Sequence, residues 1–206
     1  MVNLNQHFYI NLDKRKDRNS ECITELRKIG IKKPNRFSAI EHENGFIGCA
    51  MSHIAVLNKA KEYNWDYCIV FEDDIVIDGK KALLQKIEKY IHYDFDVLFL
   101  GCWHINTPTK IDNDLDKVDK AWCTHAYIVK KHYYDTLMKN YKEGYELKLQ
   151  RDITDMAFNI DDYTQSLQSK DKWFSLNPIH ITQRDGFSDN FKKVRNLKNI
   201  IKQIPT

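Results

Sequence analysis

A chain of 206 residues is the size of one domain. Hydrophobic residues make up 42% of it and aromatics 12%, enough for a real core, which excludes wholesale disorder. A net charge of +3, with acids and bases interspersed, gives no reason to expect a nucleic-acid partner.

Residues 7–12 alternate into a short strand. Residues 13–29 are polar, with Cys22, Ile23, Leu26 and Ile29 at helical spacing and Gly30 closing the helix. A second strand is expected over 36–40, a loop over 45–48, and a helix over 49–63 with Met51, Ile54, Ala55 and Leu57 inward. An apolar strand at 67–71 runs straight into Glu72, Asp73 and Asp74. Asp78 and Gly79 make a turn, residues 80–91 form an amphipathic helix, and residues 96–100 form another buried strand that Gly101 ends. Residues 102–120 read as a long polar loop of the functional or mobile kind. A strand over 121–129 and a helix over 130–141 follow, then a short helix capped by Asp152 or Thr154 and running to Ile160. Residues 173–176 and 179–182 are the last strand candidates. Alternating strands and helices imply an α/β sandwich around a mainly parallel sheet.

The acidic triplet is the most informative feature. A short apolar run rich in β-branched and aromatic residues reads as a strand buried on both faces. Open α/β sheets bind ligands beyond the carboxyl ends of such strands. Three acids there repel one another and lose solvation unless a cation or a hydrogen-bond donor is present. Oxygen ligands suit Mg²⁺ or Mn²⁺ rather than zinc. Such a metal usually bridges phosphate oxygens, so a nucleotide-dependent enzyme is the first expectation. The bland alternative is a strand-to-turn junction whose acids point to water.

Four segments, read together, resemble glycosyltransferase family 25, the lipopolysaccharide-type glycosyltransferases that also include the procollagen galactosyltransferases. Residues 9–18, Y-I-N-L-D-K-R-K-D-R, look like the family's opening strand and arginine-bearing turn. Residues 48–53, G-C-A-M-S-H, are similar to its G-C-x-x-S-H helix start, and V-F-E-D-D at 70–74 to its E-D-D element. Residues 183–189, Q-R-D-G-F-S-D, are similar to its closing Q-R-x-G-x-S-D segment. The resemblance implies a GT-A-like, Rossmann-type single domain over residues 1–190, with a mostly parallel central sheet flanked by helices. It also implies a UDP-sugar donor, Mn²⁺ or Mg²⁺, and inverting transfer of a hexose, galactose or glucose, onto a glycan or hydroxylated protein. The chain is short for the family, with little room for acceptor-binding insertions.

On that resemblance Glu72 and Asp74 are the metal-side acids, and alternation along an extended chain would point both away from Asp73. Asp73 is left for ribose or donor-sugar hydroxyls. A late histidine, His180, is the third metal ligand or simply a structural strand residue. Ile10, Asn11 and Leu12 meet the base edge, while Arg15 and Arg18 meet the base or the diphosphate, or else lie on an exposed helix face. Ser52 and His53 belong to the donor site, or His53 is a satisfied interior histidine. Gln183, Ser188 and Asp189 follow the family without a readable role. An inverting displacement needs a base, for which Asp155 and then Asp152 are the candidates, with N-terminal helix capping as their ordinary alternative.

Five cysteines without a C-x-x-C pair read as reduced thiols. The pairs Cys49/His53, Cys102/His104 and Cys123/His125 lack the usual zinc spacing and are read as coincidence or as parts of other sites. No leader-like start, N-x-[ST] sequon or bilayer-length apolar run is present, so a soluble, cytoplasmic chain is expected. Residues 191–206 read as a basic amphipathic helix, either docked on its own domain or in peripheral contact with an anionic membrane. The oligomeric state is not readable. A non-enzymatic alternative is a nucleotide-sugar-binding or adaptor module that has lost transfer.

Overall fold

A computed structural model describes residues 2–196 of the chain. Its centre is an eight-stranded sheet in the order β2-β1-β3-β8-β5-β9-β7-β6. In chain order, β1 (His7–Asn11) leads to α1 (Lys16–Lys28), β2 (Arg36–Ser38), α2 (Gly45–Glu62) and β3 (Tyr67–Glu72). Then come β4 (Ile75–Ile77), α3 (Lys80–Tyr90), β5 (Val97–His104), β6 (Thr109–Lys110), β7 (Leu115–Lys117) and β8 (Ala121–Lys130). The remainder is α4 (Tyr134–Gln150), α5 (Ile160–Tyr163), α6 (Gln165–Gln168), β9 (Trp173–Leu176), β10 (Ile181–Gln183), β11 (Gly186–Ser188) and β12 (Lys193–Arg195).

Strands β2, β1 and β3 pair in parallel, as do β5 and β9. β8 lies antiparallel between β3 and β5, which therefore run the same way. The sheet is mixed but mostly parallel, as expected, and the carboxyl ends of β1, β3 and β5 share one edge with the start of β8.

Period-two alternation splits the core into two layers. Ile69 and Phe71 of β3 face the layer built on Cys22 and Leu26 of α1 and Leu83 and Ile87 of α3. Cys68 and Val70 face the opposite layer, built on Val56 and Leu57 of α2 and Tyr134 and Leu137 of α4. Each buried Val, Leu, Ile or Phe among them is worth about 1.5–3 kcal/mol, which explains why the apolar run of β3 carries so few polar atoms before Glu72.

Several local readings change. The loop expected over 45–48 is the first turn of α2, because the Asn44 side chain caps it by accepting from the amides of Phe46 and Ile47. Gly48 is required there: a Cβ would stand 2.6 Å from the Ile40 carbonyl oxygen. β5 continues through Gly101, where irregular pairing with β8 brings a would-be Cβ within 2.2 Å of the Ile181 carbonyl oxygen. The polar stretch after it contains β6 and β7, and α4 runs well past residue 141. β4, unassigned from the sequence, pairs with β10 and anchors the closing segment beside the acids. The helix expected over 191–206 does not hold at its start, where Lys193–Arg195 forms a strand with Gly186–Ser188, and its remainder from residue 197 lies outside the described residues. Among the described residues, no helix is long and apolar enough to cross a membrane.

Candidate functional site

A cleft of about 390 Å³ opens over the carboxyl ends of β1 and β3. Ile10, Leu12 and Arg18 line one side, Ser52 and His53 of α2 another, and Gln183, Ser188 and Asp189 a third. All three acids of the triplet line it too. The four sequence segments that carry the family resemblance therefore converge on one cavity.

The acids do not share one environment. Glu72 ends β3 and accepts a hydrogen bond from the Thr124 hydroxyl at 3.1 Å, while His53 Nε2 stands 3.6 Å from the same oxygen. Burial opposes its ionisation, yet the interaction with His53 and the nearby His125 outweighs burial and holds its carboxyl below the ordinary range. A turn follows, so strand alternation stops there: Arg18 reaches both Asp73, at 2.9 Å, and Asp74, at 3.4 Å. Asp73 also accepts from the Asn11 side chain at 2.7 Å, and burial still raises its pKa above the usual value. Asp74 is pushed up to about 7, first by burial and then by the negative charge of Glu72, against the opposing charge of Arg18.

Sequence reasoning missed the fourth acid. Asp161 of α5 lines the cleft and shares the Thr124 hydroxyl with Glu72, at 3.2 Å from its own carboxylate. Burial and the Glu72 charge push it up to about 7. Its only sequence signal is the Asp161-Asp162 pair just after Asn159, the residue preceding the short helix.

Other expected residues have different occupations. Asn11 does not line the cleft; it spends its amide on Asp73 and the Arg15 carbonyl and accepts from Arg36. Of the two arginines, Arg18 lines the cleft, whereas Arg15 binds Asp17, Asp189 and the Phe187 carbonyl behind it. Ser52 donates to the Gly48 carbonyl and accepts from the Ile40 amide, tying α2 to the loop after β2. Ser188 accepts from the Phe191 amide, and Gln183 approaches Asp74 at 3.4 Å.

Three further residues fall outside the cleft. His180 stands against Gly79 and opposite Asp78 at the far end of the β4–β10 pair, away from Glu72 and Asp74, so it does not complete a metal site with them. Asp155 caps the turn at Met156–Phe158 by accepting from the Ala157 amide. Asp152 accepts from the amide and hydroxyl of Thr154. For Asp155 the ordinary capping alternative is the one realised, and Asp152 closes a local turn of its own, because an Asp ahead of a short turn satisfies amides that otherwise lack partners.

Fold and cleft together define a GT-A-like α/β architecture. A197 from STIV has a similar structure (TM-score 0.51, 13% identity, covering 91% of each chain). So does a glycosyltransferase involved in the glycosylation of the major capsid of PBCV-1 (TM-score 0.50, 7% identity, 82% of this chain and 91% of that one). Residues 43–120 match the family described as Glycosyltransferase family 25 (LPS biosynthesis protein), a span that contains the G-C-x-x-S-H and E-D-D elements. A curated protein of Haemophilus influenzae described as a putative glycosyltransferase is 44% identical over 57 residues, 28% of this chain. That match spans only 20% of the relative's length. The resemblance read from the motifs is borne out: residues 43–120 of the chain are similar to glycosyltransferase family 25.

Proposed function

We propose that the chain is a metal-dependent glycosyltransferase that moves a hexose, galactose or glucose, from a UDP-sugar to a hydroxyl of a glycan or hydroxylated protein, with inversion. The observation that carries this reading is the cluster of Glu72, Asp74 and Asp161 at the carboxyl end of β3, with Arg18 beside it. Such a cluster is costly by itself. Asp74 and Asp161 hold on to protons up to about pH 7, because burial and the charge of Glu72 outweigh what opposes them, Arg18 beside Asp74 included. Oxygen-only donors fit Mn²⁺ or Mg²⁺, with Glu72 and Asp74 as the residues to hold it and no role for His180. When bound, the cation supplies charge stabilisation for the departing diphosphate.

The chain's own groups account for the rest. Arg18 neutralises Asp73 and Asp74 and offers a guanidinium fork suited to phosphate oxygens. Asn11 fixes Asp73 for sugar or ribose hydroxyls. Ile10 and Leu12 supply an apolar wall for the base. Asp161 replaces Asp155 and Asp152 as the base that takes the acceptor proton, because it lies in the cleft with a pKa matched to neutral pH.

The test is nucleotide release from a panel of nucleotide sugars in Mn²⁺ or in EDTA. Release that requires metal and is lost in Asp74→Ala with the fold retained supports the reading. Metal-independent turnover with that variant fully active overturns it, and donor binding without any release favours the adaptor alternative.

A further inference from the structure

The floor of the cleft holds a second set of donor atoms, chemically unlike the carboxylate cluster. Cys49 and His53 lie four residues apart on α2, one turn of helix, so their side chains share a face. Glu72 arrives opposite them at the end of β3. The cysteine sulfur, an imidazole nitrogen and a carboxylate oxygen all lie within 4.8 Å of one another.

His53 is the second, independent observation. Its ring is fully buried, and Nδ1 pairs with the Tyr127 hydroxyl at 2.9 Å. Nε2 has no hydrogen-bond partner, and the Glu72 oxygen stands 3.6 Å from it, beyond hydrogen-bond reach. A buried nitrogen left unpaired costs about 1–3 kcal/mol, so the fold carries this orphan at a loss unless something binds it. Tyr127 fixes the ring from behind, the arrangement in which an outer partner orients a ligating imidazole and leaves the other nitrogen facing the metal.

We propose that Cys49, His53 and Glu72 form a binding site for Zn²⁺ or a similar borderline-soft divalent cation, distinct in ligand chemistry from the oxygen-only site proposed for Mn²⁺. Sulfur, nitrogen and oxygen together are a zinc donor set, and three protein ligands leave a fourth position toward the cleft. Binding releases the Cys49 proton to solvent, and thiolate plus carboxylate then balance the dication. Two residues of the same face of a helix, four apart, are how a helix presents a pair of metal ligands; the Cys49/His53 spacing set aside in the sequence fits that geometry. The site stands independently of the transferase reading, with Glu72 the one residue common to both.

The test is metal binding to the stripped full-length chain, with Zn²⁺ measured by competition with a chromophoric chelator and Co²⁺ by absorbance. We expect one equivalent of Co²⁺ to give an intense thiolate-to-cobalt charge-transfer band. Cys49→Ser should abolish the band and weaken Zn²⁺ more than about tenfold. Cys49→Ala should do the same, provided that circular dichroism shows either variant folded. Cys123→Ser and Asp74→Asn should leave the band in place, which separates this site from the neighbouring thiol and from the oxygen-only cluster. Absence of the band in the parent chain, its survival in both Cys49 variants, or its loss in Cys123→Ser overturns the proposal. None of these readouts depends on donor turnover.

Discussion

Asp161→Asn separates the electrostatic cost of the acid cluster from its use. Asp161 shifts from 3.8 to about 7 on folding, through burial and then the charge of Glu72. A carboxyl whose folded pKa exceeds its unfolded one contributes stability that is complete below the unfolded value and is lost as pH rises through the folded value. The gap of about 3 pH units, at about 1.36 kcal/mol each, sets a ceiling of about 4 kcal/mol by alkaline pH. Asp161 borders the cleft and is partly open to water, which screens the charge, so about half of that is expected. The amide of Asn keeps an acceptor for the Thr124 hydroxyl and carries no charge. In EDTA, the variant should match the parent chain only near pH 3, below the unfolded value, and exceed its Tm by about 4–8 °C near pH 8. Transfer to an acceptor should fall by about 10²–10⁴-fold, the usual worth of a general base, while nucleotide affinity is retained. Thermal scans at both pH values and a transfer assay check this. An equal Tm difference at the two pH values, or undiminished transfer, refutes the assignment.

Other expectations follow from the same geometry. Arg18→Ala removes the cation shared by Asp73 and Asp74 and should weaken UDP binding by about tenfold to a hundredfold, whereas Arg15→Ala, behind the cleft, should change it by less than about threefold; calorimetry distinguishes them. His180→Ala should leave the Mn²⁺ concentration dependence of nucleotide release unchanged, and Asp155→Ala should lower Tm through loss of a cap of about 1 kcal/mol without affecting release. Gly101→Ala should destabilise the fold by about 1–3 kcal/mol in urea unfolding, because its Cβ would collide with the Ile181 carbonyl and with His125 Nε2 at 2.3 Å.

The fold was largely legible because its signals are local. Apolar runs bounded by turns located β1, β3, β5, β8 and β9, and helical spacing located α1 and α3. Boundaries were harder. Gly45 and Gly48 look like a loop, but the Asn44 cap starts a helix there, and close approaches to Asn190 and to the Ile40 carbonyl explain the two glycines inside it. β4, β6 and β7 are short strands whose pairing partners are distant in sequence, and nothing local announces such pairing.

The site divides along the same line. Glu72, Asp73 and Asp74 were legible because they end a buried strand, and strand ends are where an open sheet leaves room for a ligand. Arg18 and Gln183 reach the acids from α1 and β10, and only the family motifs pointed to them. Asp161 had no such marker. It enters the cleft because α4 runs back over the sheet and returns the chain at α5 beside the start of β8, where Thr124 bridges it to Glu72. Asp152 and Asp155 attracted attention by lying near a turn start, which is also the commonest reason for an aspartate to be there without any chemistry. The physical criterion that separates the two cases is the neighbourhood of the carboxylate. Asp155 spends its oxygen on a backbone amide at the surface, whereas Asp161 shares one hydroxyl with another acid in a cavity, an arrangement that raises its pKa. Proximity of like charges in a cleft is therefore the better guide to the base, and it is a property of tertiary structure that no single stretch of this sequence encodes.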